Sequence, residues 1–116
     1  MSDQTTTLAE LRAAVQRFVD ERDWRQFHTP KNLSMAIAIE SAELMEHFQW
    51  VGTEESRGVR ESPDDLAQVR EELADIFCYA LSFANALDLD IAAAVADKLV
   101  KNARKYPADR FRGRFR

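Results

Sequence analysis

Two stretches of this chain are apolar around more than one helical face, and each adjoins a pair of acids three residues apart. Met35–Ile39 is an unbroken apolar run leading into Glu40 and Glu43, and Glu72 and Asp75 stand just before a second run, Ile76–Leu81. A helix that is apolar on several faces must be covered from several sides. A chain of 116 residues makes one core and no second domain, so a second copy is the natural cover. Three Gly and three Pro leave little for a turn-rich β fold, whereas the abundant Ala, Leu, Glu and Arg favour helices. The expectation is an all-α fold: a small antiparallel helical bundle of four main helices that assembles into a homo-oligomer.

Local signals place those helices. Leu8, Leu11, Val15, Phe18 and Arg22 recur at helical spacing and define the first. Asp23–Asn32 is rich in polar chemistry and not regular throughout. Thr29 caps a second helix with Pro30 in its first turn, running to about Trp50. Gly52–Glu61 reads as a polar loop. Ser62, Pro63 and Asp65 repeat the cap-and-proline start for a third helix extending to about Leu87. Asp88–Asp90 turns the chain into a fourth, which ends near Lys105 before Pro107. Short connections favour antiparallel neighbours. Residues 1–107 form the single domain, and 108–116 a short basic tail that is mobile or docked on a partner subunit.

A formal net charge of -4 argues against sequence-independent binding to a DNA or RNA polymer, while leaving a nucleotide ligand open. Cys78 is the only cysteine, so no intrachain disulfide forms; its apolar neighbours make it a small core residue in a reducing compartment. Met1–Thr7 lacks the order of a signal peptide, and no apolar run approaches the ~20 residues of a membrane span. A cytoplasmic protein without a membrane partner is expected.

Residues three apart share a helix face, so Glu40 with Glu43 and Glu72 with Asp75 each present two carboxylates from adjacent turns. Packed antiparallel with these faces opposed, the helices bring four acids together. Such a cluster is repulsive and raises pKa values unless a divalent cation resolves it, and all-oxygen donors suit Mg²⁺ or Mn²⁺. The plainer alternative is solvated helix faces, with Arg70 the one base nearby in sequence; periodicity alone leaves both open. Glu46, one turn beyond Glu43, is an accessory ligand or simply a solvated acid. A di-iron bundle needs Glu-x-x-His motifs, but Leu44 precedes His47 by three and His28 follows Phe27 outside the strong helix.

Lys98, Lys101, Asn102 and Lys105 share one face of the fourth helix. Cations there complement the helix dipole without any ligand, yet the same donors suit a polyphosphate. Trp24, Trp50 and Tyr79 offer flat rings for a base, though such residues more often mark a core edge or interface.

In order along the chain, Arg22-Asp23-Trp24-Arg25-Gln26-Phe27-His28 with Pro30 and Asn32-Leu33, Glu40-x-x-Glu43, Phe48-Gln49-Trp50, Glu71-Glu72-Leu73-Ala74-Asp75-Ile76, Tyr79 and Lys105-Tyr106-Pro107 resemble the all-α nucleoside triphosphate pyrophosphohydrolases of the MazG superfamily, in their dCTP pyrophosphatase-like branch. The resemblance spans about Leu8 to Pro107. It implies a magnesium site at Glu40, Glu43, Glu72 and Asp75, with Mn²⁺ as a substitute. It also implies pyrimidine contacts from Trp24, His28, Trp50 and Tyr79, and phosphate contacts from Lys31, Asn32, Lys98, Lys101, Asn102 and Lys105. Dimers or tetramers with sites between subunits are implied as well. The expected reaction is attack of water on the α-phosphorus of a (deoxy)nucleoside triphosphate, dCTP or a modified dCTP, releasing monophosphate and pyrophosphate. Glu43 is the expected catalytic group; the alternative is a non-catalytic helical oligomer that binds a nucleotide or protein partner and uses its acids structurally. The tail ends at Arg116, short of the longer tails of animal relatives.

Overall fold

The computed structural model describes residues 1–115. Among the described residues six α-helices follow one another: α1 (Leu8–Glu21), α2 (Pro30–Glu46), α3 (Thr53–Arg57), α4 (Pro63–Leu87), α5 (Ile91–Lys105) and α6 (Ala108–Phe111), with 3₁₀ turns at Arg25–Phe27 and Gly58–Glu61. There is no strand among the described residues. The chain is all-α, and the four expected helices are α1, α2, α4 and α5.

Each start has a local cause. Thr7 and Glu10 form a capping box, the Glu10 amide donating to Thr7 Oγ1 at 3.1 Å and the Thr7 amide to Glu10 Oε2 at 3.2 Å. Thr29 Oγ1 accepts from the Asn32 amide at 3.2 Å ahead of Pro30, and Asp90 Oδ1 accepts from the Ala93 amide at 2.9 Å. Ser62 differs from expectation: its hydroxyl donates to Asp65 Oδ2 at 2.9 Å instead of capping backbone. Two helix ends use aspartates with positive φ, Asp23 at 51° and Asp88 at 53°. In both, the next amide reaches back five residues, Trp24 to the Val19 carbonyl at 3.0 Å and Leu89 to that of Ala84 at 2.9 Å, closing a Schellman turn. The first of these turns fixes where Trp24 emerges.

The 25-residue α4 is the spine, about 37 Å long. His28 lies by Tyr79 and His47 by Glu72, so α2 runs antiparallel to α4 along its N-terminal half. Arg12 lies by Asn85, and Phe18 by the Cys78–Tyr79 stretch, so α1 runs antiparallel along the other half. The two helices lie in tandem on one partner, and the core is correspondingly thin: Val19, Leu33, Leu81, Ser82 and Ala84 are the buried residues among those described. Arg12 clamps the far end, with Nε on Asn85 Oδ1 at 3.0 Å and Nη1 on the Leu89 carbonyl at 2.6 Å, while Asn85 Nδ2 returns to the Arg12 carbonyl at 3.2 Å.

Four expectations need correction. The second helix stops at Glu46, four residues before Trp50, because residues 47–50 tighten into a turn. Gly52–Glu61 is not a plain loop but α3 followed by a 3₁₀ turn. Cys78 is exposed, because it faces a cavity and not the thin core. The Asp88–Asp90 connection bends the chain by 102°, so α5 leaves α4 near a right angle and makes little contact with the rest of the chain. The radius of gyration is 17.1 Å, where a compact chain of this length has about 13 Å. No single helix among the described residues is long and apolar enough to cross a membrane.

Candidate active site

Antiparallel packing of α2 on α4 brings the acid pairs together. One carboxylate oxygen each from Glu40, Glu43 and Glu72 lies within 4.8 Å of the others. Asp75 stands outside that tight group, but its charge reaches both Glu40 and Glu72, and it lines the cavity beside them. Glu46, by contrast, is exposed. Burial, then the adjoining Glu43 carboxyl, then the charges of Asp75 and Glu72 push the Glu40 carboxyl up to about 7. Glu72 is raised by loss of solvent and by Glu43, with His47 pulling the other way.

Two oxygens of this cluster, Glu40 Oε2 and Glu72 Oε2, are closed off from solvent with no hydrogen-bond partner. Unpaired buried acceptors are costly. Hard oxygen donors that converge, lack partners and repel one another are what Mg²⁺ or Mn²⁺ binds. The residues fit such an ion.

A cavity of about 440 Å³ adjoins the acids, lined by Phe18, Trp24, His28, Tyr79, Cys78 and Asp75 among others. That volume lies within the range of small-molecule sites. The Trp24 and His28 rings are 6.5 Å apart at 35°, and those of His28 and Tyr79 6.4 Å apart at 44°. Arg25 braces this segment, its Nε and Nη2 forking onto Asp20 at 3.0 to 3.1 Å. Burial lowers the His28 pKa, favouring the neutral ring, and its Nδ1 is sheltered without a partner. Tyr79 is raised by burial and by the charges of Glu40 and Asp75, so its hydroxyl feels the acid cluster.

Other expected positions lie elsewhere in the chain. Trp50 is 89% exposed, in the turn that follows α2, and does not line the aromatic cavity. Lys98, Lys101 and Lys105 are exposed on α5, beyond the bend, and Lys105 Nζ sits 5.4 Å from the Tyr106 ring centre. Asn102 is on the same helix, half-buried. Lys31 is exposed, and Asn32 Nδ2 is already donated to the Phe27 carbonyl at 3.0 Å. The group that sequence reasoning missed is His47, whose Nε2 is 3.9 Å from Glu72 Oε1. Its position seven residues after Glu40, on the same helical face, was the available signal.

Comparison with known proteins agrees with this arrangement. The model of the MazG-like family matches residues 35–114, which include all four acids. The chain belongs to the MazG-like family. This MazG-like chain is 41% identical over 107 residues to dCTP pyrophosphatase 1 of Bos taurus, covering 92% of the chain and 63% of the relative. It is 40% identical over 102 residues to the Homo sapiens protein of the same name, covering 88% of the chain and 60% of the relative. The chain thus spans less than two thirds of these curated relatives. A solved pyrophosphatase from Archaeoglobus fulgidus aligns with a TM-score of 0.81 at 38% identity, covering 92% of this MazG-like chain and 98% of that one.

Proposed function

We propose that the protein is a magnesium-dependent nucleotide pyrophosphohydrolase that converts a (deoxy)nucleoside triphosphate, dCTP or a modified dCTP, to its monophosphate and pyrophosphate. The observation that carries this reading is the meeting of Glu40, Glu43 and Glu72 within 4.8 Å, with two partnerless oxygens, at the edge of an aromatic cavity that includes Asp75. The names of the relatives support the substrate class.

Trp24, His28 and Tyr79 hold the base in the cavity by stacking, and the free His28 ring nitrogen meets its polar edge. The polyphosphate then extends past Asp75 toward the acids. A divalent cation at Glu40, Glu43, Glu72 and Asp75, Mg²⁺ or in its place Mn²⁺, supplies Lewis-acid polarisation of phosphoryl oxygens and lowers the pKa of water. Glu43, flanked by Glu40 and Glu72, accepts the proton of the attacking water. The new bond forms between that oxygen and the α-phosphorus, the α–β anhydride bond breaks, and pyrophosphate leaves.

Assembly belongs to the same reading. The protomer exposes 9503 Å², whereas a compact monomer of this size exposes about 6,500 Å². Ile39, Phe77 and Leu99 are each more than half exposed, on three different helices. A dimer or tetramer covers these faces, and a neighbouring copy brings Lys98, Lys101, Lys105 and Trp50 to a site their own chain holds away from them. Lys101 and Lys105 there neutralise charge on the leaving pyrophosphate.

The test is a panel of dCTP, 5-methyl-dCTP, dUTP and dTTP with Mg²⁺, scored for pyrophosphate. Turnover that needs the metal and vanishes in Glu43→Gln, with the helical spectrum kept, is expected. Wild-type turnover by that variant removes Glu43 from its role, and no turnover of any nucleotide removes the enzymatic reading.

A further inference from the structure

The acid cluster has one basic neighbour, and it does not belong to the set of acids already described. His47 caps the C-terminus of α2, its backbone amide directed at the Leu44 and Met45 carbonyls. Helical spacing places it on the face that carries Glu40 and Glu43. Its ring lies between two surroundings. On one side Nε2 is 3.9 Å from Glu72 Oε1. On the other it lines a cavity with Phe48, Val59 and Val69, under the cover made by α3 and the 3₁₀ turn after it. Among the described residues, no other basic side chain lies within ion-pair distance of Glu40, Glu43, Glu72 or Asp75.

The two oxygens of Glu72 therefore differ. Oε1 faces the His47 ring, and Oε2 is sheltered with nothing to bond. An exposed ion pair fixes little. Here, however, the side chains are only 23% and 24% exposed, so the pair is largely screened from water. Groups that grip a metal-binding side chain from behind set its orientation and basicity.

We propose that His47 is the positioning residue for Glu72, holding Oε1 so that Oε2 is presented to a divalent cation. This rests on the reading that the acids form a metal centre. His47 touches neither substrate nor cation; it acts through the carboxylate.

The experiment is Mn²⁺ binding to the full-length, chelator-stripped protein, followed by calorimetry and by the loss of the free-ion electron paramagnetic signal. His47→Leu keeps bulk and removes the donor, and its affinity should drop about tenfold or more, with the metal-free melting curve little changed. His47→Gln sets an amide N–H where Nε2 stood and should bind close to wild type. His47→Asn sets its amide nearer the backbone and should behave like Leu. Equal affinity in wild type and His47→Leu overturns the proposal while leaving the metal centre intact. If the Leu variant does not fold, the Gln and Asn pair decides, and equal binding by those two overturns it. A wild-type protein that takes up no Mn²⁺ removes the metal centre itself and the role of His47 with it.

Discussion

The rings of His28 and Tyr79 face each other at 6.4 Å, one at the entry to α2 and the other one turn beyond Asp75 on α4. This pairing joins the aromatic cavity to the acids, since the same stretch of α4 serves both. Trp24 lies 6.5 Å from His28 in turn, and in the proposed function the three rings give a base its flat surroundings. Trp24→Ala removes one face. Stacking of a base on an aromatic ring contributes about 1–3 kcal/mol, so KM for dCTP should rise by about five- to 150-fold, with a smaller change in kcat. Steady-state kinetics measure this. An unchanged KM would place the base somewhere else.

The acid cluster sets a pH dependence whose sign follows from Glu40. Its carboxyl is pushed up to about 7 from 4.5, so the metal-free fold holds a proton that the unfolded chain has released. Between those values the folded state binds more protons, and metal-free stability falls as pH rises through that window. A cation must displace the proton. Mg²⁺ or Mn²⁺ affinity should therefore weaken below pH 7, by up to about tenfold per unit from this group. Glu72, also raised, acts in the same direction. His28, lowered by burial, acts in the opposite one: its contribution is present above its unfolded pKa and lost as pH falls below it. His28 affects metal-free and metal-loaded protein alike, so the difference between their melting curves isolates the acids. That difference should grow from pH 5.5 to pH 7.5, values spanning about one and a half units below to half a unit above the Glu40 midpoint. A gap that stays constant over this range contradicts the assignment.

The clamp between α1 and the end of α4 is separable from the chemistry. Asn85→Ala leaves Arg12 Nε and the Arg12 carbonyl without the partners they have now. Losing such part-buried hydrogen bonds costs about 1–3 kcal/mol. The urea midpoint should fall with little change in slope, while Mn²⁺ affinity stays as in wild type, because Asn85 lies about 15 Å along α4 from Asp75. A variant as stable as wild type would show that the clamp contributes nothing.

Much of this was legible in the sequence, for reasons that differ by residue. The starts of α2 and α5 were readable because Thr29 with Pro30, and Asp90, act on amides within three residues. The convergence of Glu40, Glu43 and Glu72 was readable because helical spacing fixes a face, and antiparallel packing then opposes two faces. Short α3 was not readable: its five residues lack the length to form alone and depend on the 3₁₀ turn and α4 beside them. Cys78 misled because apolar neighbours in sequence do not show which way a helix face points. His47 was passed over because it was weighed as a direct metal ligand, a role its spacing excludes, and not as support for Glu72.

The near right angle between α4 and α5 has a consequence for abundance. Each polypeptide carries the lysines of α5 away from its own acids, so a solitary chain lacks those phosphate contacts of the proposed reaction. In that proposal ion uptake belongs to each molecule, but hydrolysis needs a second copy. The proposal therefore expects output to climb faster than the quantity of protein made, with scarcity silencing it before the fold is lost.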